Sequence, residues 1–125
     1  MLEKGKQTYD LEERLLAFST NIIRLVEDLP HTRTGNHVAN QLLGSGTSPY
    51  ANHAEAQAAE SRNDFIHKLR ICLKELRETI RWIMLIQRAA LLNQTETLNH
   101  ALVECEELIK IFVQSIRTAE GKRKK

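Results

Sequence analysis

Proline and glycine are scarce in these 125 residues, two and five respectively. No run alternates β-branched or aromatic residues with polar ones, so a turn-rich sheet protein is excluded. Cysteines number two. Neither belongs to a C-x-x-C pair and no Cys/His grouping has zinc spacing, so Cys72 and Cys105 read as reduced thiols serving as small core hydrophobes. No stretch reaches the roughly 18 uninterrupted apolar residues of a membrane span. The opening segment MLEKGKQTYDLEER lacks the apolar centre of a secretion signal. The expectation is a cytoplasmic protein without a membrane partner.

A strong charge of either sign is also missing. The net charge is +2, and the closing GKRKK supplies four of the 18 lysines and arginines, leaving 14 against 16 acidic residues in 1–120. The body is faintly acidic, unlike a strongly basic nucleic-acid binder. A chain of this length forms one domain and buries roughly two-thirds of its unfolded surface without a disulfide or a metal.

Amphipathic periodicity is what the chain does have. Leu11, Leu15, Phe18, Ile22, Leu25 and Leu29 follow a four-three spacing that marks one buried helical stripe, with Thr8 or Asp10 able to cap its start and Pro30 ending it. A second helix opens near Thr34 and reaches about Ala59, with Val38, Ala39, Leu42 and Leu43 on its apolar face. The third, from about Arg62 to Leu91 and capped by Ser61, carries Phe65, Leu69, Cys72, Leu76, Ile80, Ile83 and Gln87. Thr95 is a good N-cap for the fourth, whose stripe is Leu98, Leu102, Cys105, Ile109, Phe112 and Ile116. Short links between long amphipathic helices imply an all-α, antiparallel up-down-up-down four-helix bundle over residues 1–120. A disordered basic tail is expected at 121–125.

The stretch QLLGSGTSPYANHAEA, residues 41–56, interrupts this regularity. Pro49 lacks an N–H and crowds the preceding turn, so the second helix is expected to kink or break near Ser45–Pro49, with Ser48 as a fresh N-cap. Gln41, Ser45, Ser48, Asn52 and Glu55 form a heptad stripe in polar letters, and Lys68, Glu75, Glu78 and Trp82 form a partner stripe on the third helix. A hairpin turning near residue 61 sets Glu55 opposite Lys68, Ser48 opposite Glu75, Ser45 opposite Glu78 and Gln41 opposite Trp82. Gly44, Gly46, Ala51 and Ala54 are small enough to let the backbones approach. Two readings of this polar seam stay open: a hydrogen-bonded layer that fixes register, the commoner fate of buried polar groups, or a ligand or catalytic pocket built from Glu55, Glu75 and Glu78.

Catalytic chemistry finds little support. A carboxylate-bridged di-metal site needs two glutamates and two E-x-x-H motifs from four helices; the nearest match, Asp64 with His67, occurs once, and His53 and His100 have no complementary motif. No phosphate loop or nucleophile elbow is present. No cofactor is expected. IRWIMLI, residues 80–86, is apolar nearly all round, which reads either as a wide core seam, with Trp82 covering Gln41, or, the preferred expectation, as a subunit interface at Trp82, Leu85 and Ile86. Lys122, Arg123, Lys124 and Lys125 are either a solubilising end or a weak RNA contact that strengthens when several tails cluster, joined by Lys4 and Lys6 if the N-terminus shares their rim.

Residues 29–86 carry a resemblance. Gln41, the Ser45–Gly46–Thr47–Ser48 run, Asn52, Glu55–Ala56, Ser61, Phe65, Lys68–Leu69, Glu75, Glu78 and Trp82 resemble the four-helix-bundle proteins encoded in intervening sequences of bacterial 23S ribosomal RNA genes, a family often labelled ribosomal. The resemblance implies a bacterial, ring-like homopentamer with no known catalysis. It also implies kinship with accessory proteins of diversity-generating retroelements, in which a basic pentamer engages nucleic acid and a reverse transcriptase. Two positions depart from the pattern: Gly44 stands where the family commonly has arginine, and Pro49 where a small apolar residue is usual. The expected function is a non-enzymatic, oligomeric interaction or scaffold protein; the alternative is an RNA- or ribonucleoprotein-associated accessory protein working through its basic tails.

Overall fold

A computed structural model describes the backbone of residues 2–121 and the side chains of residues 10–121; Lys122, Arg123, Lys124 and Lys125, the expected tail, lie outside the described residues. The described residues form four helices: α1 (Leu2–Asp28), α2 (Arg33–Gln57), α3 (Arg62–Arg88) and α4 (Thr95–Glu120). Local chemistry sets most of the boundaries. Thr32 caps α2 by accepting from the Gly35 amide at 3.0 Å, and Ser61 caps α3 by accepting from the Asp64 amide at 3.0 Å, each satisfying one of the four open donors of a helix start. Thr95 is not the cap of α4; it is the first helical residue, and Gln94 precedes it without a side-chain cap bond. Gly121 ends α4 in the left-handed region, φ 78°, where a side chain would be strained.

Neighbouring helices run antiparallel, because the pairs that tie them together rise in one helix as they fall in the other. Between α2 and α3 they are Ser45 with Thr79 and Glu55 with Lys68. Arg70 with Glu120 and Gln87 with Asn99 tie α3 to α4, and Arg14 with Glu104 and Asp28 with Gln94 tie α1 to α4. Helices α1 and α3 sit on the diagonal, each packed on α2 and α4.

The core repeats the expected stripes with instructive shifts. Leu15, Phe18, Ile22, Leu25 and Leu29 are buried on α1. On α3 the strict seven-residue repeat Cys72, Thr79, Ile86 is buried, while Phe65, Ile80 and Gln87 are only half-buried. Thr79 is polar and therefore does not announce itself as a core residue. Ile86 is 0% exposed, which removes it from the expected subunit interface: its place in the repeat points it between α2 and α4, not outward.

Helix α2 does not break. It passes through Pro49 as one helix, so Ser48 is not an N-cap. The side chains of the interrupting stretch serve the backbone around the proline: Thr47 donates to the Leu43 carbonyl at 2.7 Å and the Asn52 amide to the Ser48 carbonyl at 3.1 Å. The Pro49 ring is buried, so its packing against the core offsets the N–H it cannot offer.

Candidate functional site

The polar seam forms between α2 and α3, with a different membership and depth from those expected. At its centre the hydroxyls of Ser45 and Thr79 lie 2.9 Å apart, 3% and 0% exposed. Thr79 Oγ1 is also 2.8 Å from the Glu75 carbonyl oxygen. Each hydroxyl has one proton, so Thr79 donates to that carbonyl and accepts from Ser45, and both buried groups are satisfied. Ser45 thus meets Thr79, not Glu78, which instead accepts from Trp82 Nε1 at 3.1 Å. Ser48 does not reach Glu75; its hydroxyl accepts from the Asn52 amide at 2.8 Å. Gln41 is exposed, and the Trp82 indole meets the His37 ring edge-on, with centroids 5.9 Å apart.

Glu55 does meet Lys68, at 2.8 Å. Their side chains are 56% and 27% exposed, however, so the pair closes the seam at the surface and is not a buried ion pair. The Lys68 pKa is raised by its hydrogen bond to Glu55 and by that carboxylate's charge. Of the three carboxylates proposed for a pocket, Glu55 is engaged by Lys68 and Glu78 by Trp82, and none of them lines the cleft at the end of the bundle.

A cleft of about 510 Å³ opens at the end of the bundle where α1 starts and α4 finishes, with Asp10, Arg14, His53, Gln57, Phe65 and Phe112 among its walls. His53 is 3% exposed, stands edge-on to Phe112 with ring centroids 6.1 Å apart, and has Nε2 3.1 Å from the Gln57 amide nitrogen. That nitrogen accepts from the amide, so the proton of a neutral ring sits on Nδ1. Burial lowers the His53 pKa, opposed by the charge of Glu12. Arg14, on the opposite wall, is held by Glu104 through two bonds of 2.8 and 2.9 Å; the hydrogen bond outweighs desolvation and raises its pKa. Sequence reasoning passed over His53 because it looks for metal-ligand spacing. The signal it misses is the stripe Ala39, Leu43, Gly46, Tyr50 and His53, which runs beside α1.

Thiol chemistry is suppressed. Burial pushes Cys72 and Cys105 up to about 12, so both are protonated near neutrality. Among the described residues no group of three His, Cys, Asp or Glu could hold a metal ion, and no helix is long and apolar enough to cross a membrane.

The outer faces of the bundle differ in character. Asn40, Gly44, Thr47, Ala51, Ala54 and Ala58 follow the four-three spacing along the outside of α2, and none is charged. Gly46 is needed inside the fold, because a Cβ there would stand 2.7 Å from Ile22 Cγ2; at Gly44 it would meet nothing within 4 Å. The small size of Gly44, Ala51 and Ala54 is therefore not spent on the approach of α2 to α3. Leu16, Ile23 and Leu43 are 41%, 45% and 38% exposed.

Fold and site together define a small antiparallel helical-bundle protein with a hydrogen-bonded seam between its two middle helices. The chain belongs to the 23S rRNA-intervening sequence protein family, which matches residues 8–114. It is similar, at 34% identity and a TM-score of 0.79, to a crystallised protein of unknown function from the S23 ribosomal protein family of Bacteroides thetaiotaomicron VPI-5482. The similarity covers 86% of this chain and 98% of that one. No curated protein matches the chain.

Proposed function

We propose that the protein is a non-enzymatic, self-associating helical scaffold that docks copies of itself through the uncharged outer face of α2. The observation that carries this reading is Gly44. Glycine in a helix interior costs about 1 kcal/mol relative to alanine, and nothing within the protomer comes near this one. A glycine followed on its stripe by Thr47, Ala51 and Ala54, with Leu43 exposed beside it, suits the close approach of a second helix. Helix α2 carries one Lys/Arg and one Asp/Glu, Arg33 and Glu55, at its two ends, so no charge must be stripped of water when its centre is covered. Leu16 and Ile23, exposed on α1 at seven-residue spacing, extend the apolar area.

Of the expected interface residues, Leu85 is 46% exposed and Trp82 is half-covered by His37. They belong to α3 and supply the surface that meets α2 of the next copy. Unlike patches in contact make a head-to-tail arrangement, which closes into a ring or runs on as a filament. A ring of five is the closed form that the family resemblance implies. The test is Ala51→Arg, which places a long charged side chain at an exposed position where the protomer has room for it. Helix content by circular dichroism is expected to stay unchanged while the oligomer dissociates to protomers in light scattering. An Ala51→Arg protein that assembles like the wild type removes α2 as the docking face.

A further inference from the structure

The outside of α3 is the chemical opposite of the outside of α2. Asn63, His67, Arg70, Lys74, Arg77, Arg81, Met84 and Arg88 repeat at four-three spacing along one line, and every one of them is exposed. Five cations, from Arg70 to Arg88, thus share a single face along about 27 Å of helix. The helix as a whole carries seven Lys/Arg (62, 68, 70, 74, 77, 81, 88) against three Asp/Glu (64, 75, 78), whereas α4 carries two against five. The near-neutral total hides a segregated surface.

Intramolecular pairing uses only part of this charge. Arg70 is engaged by Glu120, and Lys74 lies 3.9 Å from Glu75. Arg77, Arg81 and Arg88 make no ion pair or side-chain hydrogen bond among the described residues. The nearest acids along the stripe have other roles or other places. Glu78 accepts from Trp82 on the side toward α2. Glu106 lies on the α4 flank that also presents Asn99 and Glu120 to α3, outside ion-pair distance of any arginine. Three guanidinium groups kept charged and unpaired on one face repel one another, a cost that a bound polyanion removes. Between Arg81 and Arg88 the surface dips into a shallow depression that also includes Met84, Leu85 and Gln87. Met84 is 52% exposed, so this part of the stripe offers apolar atoms between two planar cations, a combination that accepts a base or sugar beside a phosphate.

We infer that the outer face of α3 binds the phosphate backbone of nucleic acid without sequence preference, with Arg77, Arg81 and Arg88 as the principal contacts. Arg81 and Arg88 are two helical turns apart, about 10.5 Å, and Arg77 sits one turn before Arg81, so an extended strand lying along the helix meets cations in succession. The surface is distinct from the tail Lys122–Lys125. It is also distinct from the α2 face assigned to self-association; Leu85, which borders the depression, is shared with the α3 side of that contact, but Arg77, Arg81 and Arg88 are not part of it, so the variants at these arginines and at Ala51 test the two proposals separately. Assembly would multiply the stripe around the oligomer.

The test uses the full chain and fluorescently labelled single strands of about 20 nucleotides, RNA and DNA of scrambled sequence, with anisotropy read from low to moderate salt. Affinity is expected to fall with rising salt, and each neutralised contact should contribute about −0.7 to the logarithmic slope for single strands. Arg77→Gln, Arg81→Gln and Arg88→Gln are each expected to weaken binding to every strand alike and to reduce the slope by about that contribution; the triple variant should lose most of the affinity. All three positions are exposed, and circular dichroism checks that the variants fold. Deleting residues 122–125 is expected to leave most of the binding in place. Loss of binding on that deletion, with the triple variant unaffected, assigns nucleic acid to the tail and overturns the inference. Absence of binding even at low salt, or a preference for poly-glutamate over both nucleic acids, overturns it as well.

Discussion

At the scale of single residues, the two buried polar groups that matter most are the ones least visible in the chain. Thr79 continues a seven-residue repeat of core positions, but a hydroxyl in that repeat looks like a gap in it. Only the opposing Ser45 explains its burial. Ser45 itself was readable as part of the seam, whereas its partner was not, because pairing by residue number fixes the level on a helix and leaves the rotation open by one position. Thr79→Val should therefore leave the Ser45 hydroxyl buried without its acceptor and lower stability by about 1–3 kcal/mol. Ser45→Ala combined with Thr79→Val should recover part of that loss. Urea denaturation midpoints of wild type, Ser45→Ala, Thr79→Val and the double variant check this; strictly additive losses would show that the hydroxyls do not depend on each other.

His53 makes the second residue-scale prediction. Burial holds its folded pKa below the ordinary 6.5, so the unfolded chain takes up the proton more readily than the native state. Stability is then unaffected above about pH 6.5 and falls as pH drops from there toward the lowered folded value. His53→Gln keeps a polar side chain but does not titrate, so it is expected to flatten the decline in melting temperature between pH 7 and 5. If wild type and variant lose stability in parallel over that range, the imidazole is not buried in its neutral form.

At the scale of elements, helix identity and order were legible because the apolar spacing of α1, α3 and α4 is regular and the links are short. The fate of α2 was not. Pro49 and the surrounding Gly44, Gly46 and hydroxyl residues carry strong local signals for interruption, yet α2 continues. Burial of the proline ring favours the continuous helix, while Thr47 and Asn52 bond the Leu43 and Ser48 carbonyls beside it; the carbonyl that loses its donor to Pro49 is that of Ser45. The seam's one correctly matched pair, Glu55 with Lys68, also shows what residue numbers leave out: they locate a contact but not its depth. An exposed ion pair contributes little once solvent screens it and two long side chains are held still. Lys68→Met is accordingly expected to shift the melting temperature only slightly, and Glu55→Leu with Lys68→Met no more than the two single changes combined. A large loss on the single change, rescued in the double, would place the pair in the interior after all.

At the scale of the whole molecule, composition conceals the arrangement. A net charge of +2 and a faintly acidic body describe an average, while the folded chain sets an uncharged strip along α2 and a cationic strip along α3. That segregation was within reach of the sequence, since both strips follow the same four-three spacing as the core. Attention to buried stripes leaves the outward ones uncounted. The expected interface at Trp82, Leu85 and Ile86 fails in part for the same reason: an all-round apolar segment between two neighbouring helices is largely consumed by them, which buries Ile86 and half-covers Trp82 but leaves Leu85 free. The exposed small residues of α2 and the aliphatic side chains beside them remain to be covered, and a second copy of the chain is the partner proposed here.

The mass of the purified protein in solution tests that claim most directly. Size exclusion with light scattering at micromolar concentration is expected to return a discrete multiple of the 14.4 kDa chain, with five copies as the ring form. A single species of 14.4 kDa across the concentration range would contradict self-association.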